Sequence, residues 1–283
     1  MDFTTRVNFL KNRLVGLLSG ESSRAAALAE ERDALIKERD LLAQRAKELM
    51  LCGAPSELDR TLYSIPAPPT VNPWEWLSGF ANNKDSSILE IGSREVVGKS
   101  VCKTRLPLAK YTGFDFHQGE NVDVVGDAHR LSDYFAPNSF DVVYSAAVFE
   151  HLAMPWVVAE EITKVLRVGG VACILTHFSY GEHEVPWHFF QFNSTGLEAL
   201  FNESLGFKTI YAAKEMPMVG RFAYDCDADH AGKAIANLYC SSYIVTEKNK
   251  DIFHGDAAVE FRWRDALDGI YGQTRYPSDT SRL

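Results

Sequence analysis

Five short runs, residues 87–91 (SILEI), 111–116 (YTGFDF), 122–125 (VDVV), 140–145 (FDVVYS) and 171–176 (VACILT), are apolar or β-branched along nearly their whole length. Strands that read this way are buried on both faces, which occurs where helices cover a parallel sheet. Between the last two runs, residues 155–167 set Val158, Ile162, Val165 and Leu166 on one helical face ahead of Gly169-Gly170, completing a βαβ unit. A further helix is expected at 194–204, and runs at 207–212 and 238–246 bring the strands to seven. The fold class expected from this pattern is α/β, a doubly wound seven-stranded sheet.

The amino-terminal residues keep another period. Phe3, Val7, Leu10, Leu14, Leu17 and Leu18 share one helical face, and Leu28, Leu35, Leu42 and Leu49 recur every seven residues, with Glu-Arg-Asp repeated at 31–33 and 38–40. Residues 1–51 are therefore expected to form an amphipathic, coiled-coil-like helical arm. Arg32 and Arg39 would fall in the seam of a freestanding dimer and weaken it. The wider stripe through Ala29, Ile36, Ala43 and Met50 suits a second copy, a partner helix or the chain's own domain, so residues 3–50 are the expected association surface. Residues 52–85 read as a linker, since prolines at 55, 66, 68, 69 and 73 forbid any long helix, with Trp74 and Trp76 fastening its end to the next domain. Residues 86–248 hold the α/β domain and 249–283 a carboxyl-terminal extension.

Composition narrows the partners. Hydrophobic residues make up 46% and charged residues 24% of the 283, enough for a packed core and unlike a disordered chain. Acidic side chains outnumber basic ones 38 to 29, which argues against a broad nucleic-acid surface. No apolar run reaches the roughly 18 residues of a membrane span, and the first twenty residues lack the zones of a signal peptide, so a cytoplasmic protein is expected. The five cysteines are scattered without a CxxC, which points to reduced thiols.

Doubly wound sheets bind ligands at the carboxyl ends of their strands. The first strand runs into Glu90-Ile91-Gly92-Ser93, and the second reaches Asp115, 23 residues beyond Gly92, an interval at which a carboxylate can accept ribose hydroxyls. Arg94 and Val97 stand where a dinucleotide fingerprint would have glycines, so a pyrophosphate lacks its usual cradle.

These residues, with Gly126-Asp127-Ala128-His129, the segment 145–152 (SAAVFEHL) and the segment 165–170 (VLRVGG), resemble the class I S-adenosylmethionine-dependent methyltransferases, in particular their type-11-like branch, over about residues 86–247. The Gly-Ser-Arg opening and the stretch 186–192 (PWHFFQF) are similar to methyltransferases of bacterial surface-polysaccharide gene clusters. Arg94 and Val168 depart from the family pattern, which usually has glycine and proline there. The resemblance implies strand order 3-2-1-4-5-7-6 with an antiparallel seventh strand, and S-adenosylmethionine as cofactor. It implies that Glu90, Gly92 and Ser93 line the methionine side, that Asp115 holds the ribose diol, that Asp127, Ala128 and His129 meet the adenine, and that Ser145 ends the fourth strand at the site. It further implies a sugar or other small polar acceptor, methylated on oxygen, with 214–237 as a cover over the acceptor side.

A sulfonium methyl is already activated, so in-line transfer chiefly requires an acceptor atom held about 3–3.5 Å away with water excluded. A hydroxyl acceptor also gains about 10² to 10⁴ in rate from a positioned base. Six of the eight histidines fall between His117 and His188, and His151, His177, His183 and His188 come after the fourth or fifth strand. His183 and His177 are the leading candidates for the base and His151 a third, with a structural role for His151 as the competing reading. His177, Glu182, His183, Glu184 and His188 have the donor atoms of a metal site, but their intervals match neither HExxH nor a zinc finger, so no metal is expected. The aromatics Trp187, Phe189, Phe190 and Phe192 are expected to pack in the core or stack on a sugar face. Two alternatives stand beside methyl transfer: an inactive methyltransferase-like scaffold whose arm recruits partners, and a nicotinamide-dependent oxidoreductase, which the missing glycines disfavour.

Overall fold

The computed structural model describes residues 73–272 apart from 97, 224–225 and 256–257, together with Arg32 and residues 34–37, which are helical. The chain divides into two units, residues 1–61 and 62–283. The coiled-coil reading of the arm lies otherwise outside the described residues. Among the described residues no helix is long and apolar enough to cross a membrane.

In the second unit the elements run α1 (Pro73–Ala81), β1 (Ser87–Ile91), α2 (Val101–Arg105), β2 (Lys110–Asp115), β3 (Val124–Val125), α3 (Leu131–Tyr134), β4 (Phe140–Ala146), α4 (Pro155–Val165), β5 (Leu166–His177), α5 (Ser194–Leu200), β6 (Phe207–Pro217), β7 (Gly220–Arg221), β8 (Ala234–Ile235), β9 (Tyr239–Lys248) and α6 (Trp263–Gly272). The main sheet has seven strands in the order β3-β2-β1-β4-β5-β9-β6, with β9 antiparallel to both neighbours, as expected from the resemblance. β7 and β8 pair separately.

Both faces of the sheet are covered, which explains the unbroken apolar runs. On one face Leu89, Ile91, Val143 and Ile174 pack under α4 (Val158, Ile162, Val165), α5 (Leu197) and the segment from Ile252 to Trp263. On the other, Ile88, Val142, Tyr144 and Tyr243 meet Leu77 and Ala81 of α1 and Cys102 of α2. Proline at the first position of α1 and of α4 loses no hydrogen bond, since that N–H has no intrahelical partner. Ser100 caps α2 by accepting from the Lys103 N–H.

The join between α4 and β5 differs from the sequence expectation. The helix ends at Val165, and Leu166 already pairs with Phe140 before the register shifts so that Val142 pairs with Val171. Gly169 lies at φ +75°, and a side chain at Gly170 would press on the carbonyls of Arg167 and Asp141, so the glycines shape a bulge inside the strand. Residues 207–217 continue as strand past the expected end at 212, and the β7–β8 ribbon occupies part of 214–237, with Met216 and Phe222 exposed.

Candidate functional site

β1 delivers Ile91 to the middle of the sheet, where the chain must turn out of the layer. Gly92 makes that turn at φ +78°, and a Cβ there would lie 2.1 Å from Val148 Cγ2. Only glycine fits, because the Val148 side chain occupies the space a Cβ would need and the left-handed φ disfavours any other residue. The N–H groups of Gly92 and Ser93 both donate to the Phe114 carbonyl, at 2.8 and 3.2 Å. Ser93 is buried, and its hydroxyl donates to the Asn121 carbonyl at 2.9 Å.

Asp115 ends β2 beside this turn. Its carboxylate accepts from the His117 N–H at 2.9 Å and the Arg94 N–H at 3.2 Å, and the Arg94 Nε lies 3.6 Å away. The Arg94 side chain lies across Gly119, whose missing Cβ makes the space. Of these partners the Arg94 guanidinium, 39% exposed and beyond hydrogen-bond distance, is the one that ribose hydroxyls can displace.

Asp127, Ala128 and His129 come directly after β3. Burial opposes ionisation of Asp127, but the backbone N–H and ring of His129 hold its carboxyl below the usual value. The His129 Nδ1 donates to Asp127 at 2.6 Å and its Nε2 accepts from the Met154 N–H at 3.2 Å, which fixes the tautomer and ties this turn to the segment after β4. Ser145, next to Ile91 across the β1–β4 pair, is fully buried and its hydroxyl has no partner. Glu90 points elsewhere: its Oε2 accepts from the hydroxyls of Ser100 and Tyr111, both at 2.5 Å, and burial raises its pKa against their pull. Gly92, Ser93, Asp115 and Ser145 thus converge at the carboxyl ends of adjacent strands, while Asp127 and His129 flank them. A glycine turn that no side chain could fill, an acid with one displaceable partner and an unpartnered hydroxyl fit an adenosine-bearing cofactor. A cleft of about 430 Å³ is lined by Glu95, Lys99, Lys103, Glu120 and Asn121, the last of which accepts from Ser93.

The histidines gather one strand farther on. Ala147, immediately after β4, is held at φ +55°, a strained conformation of the kind concentrated at functional turns. The next turn, 149–151, brings in Glu150 and His151. β5 ends at His177, and the loop 181–188 returns His183 and His188. Ring centroids lie 4.9 Å apart for His151 and His183, 5.2 Å for His177 and His183, and 4.5 Å for His183 and His188. His177 also stacks on Tyr180 at 4.4 Å. Burial lowers the His177 pKa, the Glu150 carboxylate opposes this, and the neighbouring imidazoles add to it.

Glu150 is the residue that sequence reasoning passed over as a candidate. It is 0% exposed; its Oε2 accepts from Thr176 Oγ1 at 2.6 Å, while Oε1 makes no hydrogen bond and lies 3.4 Å from His177 Nε2. Its only signal was its place next to His151, directly after a central strand. Glu182 and Glu184 are exposed, and so are Trp187 and Phe189, which rim the cluster rather than filling the core; Phe192 does pack against the core.

Residues 82–174 match a protein family described as a methyltransferase domain, a segment reaching from the end of α1 into β5. No curated protein matches the chain in sequence. Similar solved structures include a protein of Bacillus halodurans designated a methyltransferase, 14% identical over 62% of this chain and 97% of its own, with a TM-score of 0.45. Another is an S-adenosylmethionine-dependent methyltransferase of Archaeoglobus fulgidus, 12% identical over 62% of this chain and 90% of its own, with a TM-score of 0.44. A third is from a complex of the Haloferax volcanii Trm112 methyltransferase activator with a methyltransferase, 15% identical over 59% of this chain and 84% of that one, with a TM-score of 0.42. Residues 82–174 thus carry a methyltransferase domain.

Proposed function

We propose that this enzyme methylates a hydroxyl of a sugar or other small polar acceptor, in the cytoplasm and in the setting of bacterial surface-polysaccharide synthesis. The observation that carries this reading is the histidine cluster at the carboxyl ends of β4 and β5, with β4 one strand from the Gly92 turn and two from Asp115. Bound S-adenosylmethionine supplies an activated methyl group. Around it, Asp115 holds the ribose hydroxyls, Asp127, Ala128 and His129 frame the adenine, and Gly92, Ser93 and Ser145 shape the methionine side. An imidazole of the cluster, His177, His183 or His151, takes the hydroxyl proton during attack. Exposed Tyr180, Trp187 and Phe189 offer flat apolar faces against which a sugar can stack and shed water. In this organisation residues 86–248 are the catalytic domain, 249–283 extend it, 52–85 link it to the arm, and residues 3–50 join the chain to a second copy or a partner helix.

The test is calorimetry with S-adenosylhomocysteine, then transfer of labelled methyl to hydroxylated acceptors. Asp115→Ala is expected to weaken binding by about 100-fold, the worth of two hydrogen bonds to a charged group. Absence of binding to the wild-type protein, or full binding by the variant, overturns the assignment. One observation favours a second reading, an inactive scaffold: Arg94 already occupies Asp115. Label appearing in any acceptor eliminates it.

A further inference from the structure

We propose that Glu150, His151 and His183 form a binding site for a single divalent transition-metal ion of the zinc class. Among the described residues, these three each offer a ligand atom, and the atoms all lie within 4.8 Å of one another. Zinc bonds of about 2.0–2.2 Å bring tetrahedral ligand atoms to roughly 3.4 Å apart, so closure needs shifts of about an ångström, within reach of side-chain rotation.

The surroundings are arranged as outer partners of ligands usually are. A histidine that binds a metal through one nitrogen commonly donates the other N–H to a carbonyl or carboxylate, which orients the ring and fixes the tautomer. The His151 Nδ1 meets the Trp187 carbonyl at 2.9 Å, and the His183 Nδ1 meets the Gly181 carbonyl at 3.0 Å. A carbonyl can only accept, so in both rings the proton sits on Nδ1 and Nε2 presents its lone pair. Glu150 repeats the arrangement, since Thr176 engages Oε2 and leaves Oε1 free.

A second, independent observation is the unpaired state of buried polar atoms at this place. Glu150 Oε1, His177 Nδ1 and His188 Nε2 are all buried without a hydrogen-bond partner. A fully buried carboxylate oxygen facing imidazoles, with no donor of its own, is costly unless a cation compensates it. The sequence concealed this site because its ligands come from two segments, 150–151 and 183, which no local spacing motif links. Two imidazoles and a carboxylate suit zinc and its first-row neighbours and leave at least one coordination position open. That position could hold an oxygen of the acceptor, with His177, outside the ligand set, left as the base; this last role rests on the methyl-transfer reading, whereas ion binding does not.

The test uses the full chain, freed of metal by a chelator and titrated with Zn²⁺ by calorimetry and with Co²⁺ by visible absorption. One equivalent is expected to bind at about micromolar concentration or below, with Co²⁺ developing the absorption bands of a nitrogen- and oxygen-ligated site. Glu150→Gln and His183→Ala are each expected to weaken Zn²⁺ binding by about 100-fold or more, since even outer partners of a metal site contribute about 10- to 100-fold. His230→Ala, at an exposed histidine in the segment between β7 and β8, is expected to change nothing. Near-ultraviolet circular dichroism checks that each variant is folded, and His151→Gln takes the place of any that is not. No binding by the wild-type protein, or stoichiometric binding insensitive to the ligand substitutions, overturns the proposal. Neither outcome depends on whether S-adenosylhomocysteine binds.

Discussion

The β5–β9 pair carries buried ionisable groups at both of its ends, and the two ends are built in opposite ways. Near the end where Val171 pairs with Glu247, Lys248 is 0% exposed and fully employed. Its ammonium donates to Asn138 Oδ1 at 2.9 Å and to the carbonyls of Thr163 and Leu166 at 2.8 and 2.9 Å, and lies 3.3 Å from Asp251. The two carbonyls belong to the last turn of α4 and the residue after it, so the lysine caps a helix from within the core. At the other end, where His177 pairs with Ser241, Glu150 is as deeply buried but keeps a free oxygen, and two histidine nitrogens beside it are equally unpaired. A saturated cluster stabilises the fold, while an unsaturated one holds bonding capacity in reserve for something that arrives later.

Substitution can break this contrast. Lys248→Met should cost about 3–5 kcal/mol in chemical denaturation, because it leaves two carbonyls without their donor and takes the cation from Asp251, and should leave S-adenosylhomocysteine affinity unchanged. The Asp251 carboxyl comes next. Burial alone would raise its pKa, but the Asn138 amide, the Phe253 N–H and Lys248 hold it down at about 2, against an ordinary 3.8. Its contribution is therefore complete above the unfolded value and disappears as pH falls from about 4 to about 2, a loss on the order of 2 kcal/mol. An acid titration of stability should show that loss in the wild type and not in Asp251→Asn. The smallest effect is expected at the other end, where Glu150→Gln removes a charge that burial already penalises and should shift metal-free stability by no more than about 1 kcal/mol. Should it cost as much as Lys248→Met, the histidine end is structural as well and the distinction fails.

The sheet was readable from sequence because strands covered on both faces must be apolar throughout, and SILEI, FDVVYS and VACILT admit little else. The junction at residues 166–170 was not, since paired glycines after a helical stretch look the same whether they stop a helix or bend a strand. Helix α1 lay within the segment assigned to the linker, where Pro73 gave no sign that it begins a helix instead of preventing one. At the site, Gly92 and Asp115 stood out because their roles are local: a left-handed turn and an acid at the end of a strand. Glu150 and Lys248 gave no comparable signal. What matters about each is which distant backbone and side-chain atoms surround it: β5 supplies them for Glu150, and the end of α4 for Lys248.

The position of β9 also bears on synthesis. This strand leaves the ribosome after every other strand of its sheet, yet it lies between two that precede it, β5 and β6. Until residue 248 has emerged, a nascent chain presents two unzipped strand edges, open to pairing with neighbouring chains. A ribosome that stalls between residues 217 and 239 would therefore release a product prone to aggregate rather than a smaller working enzyme.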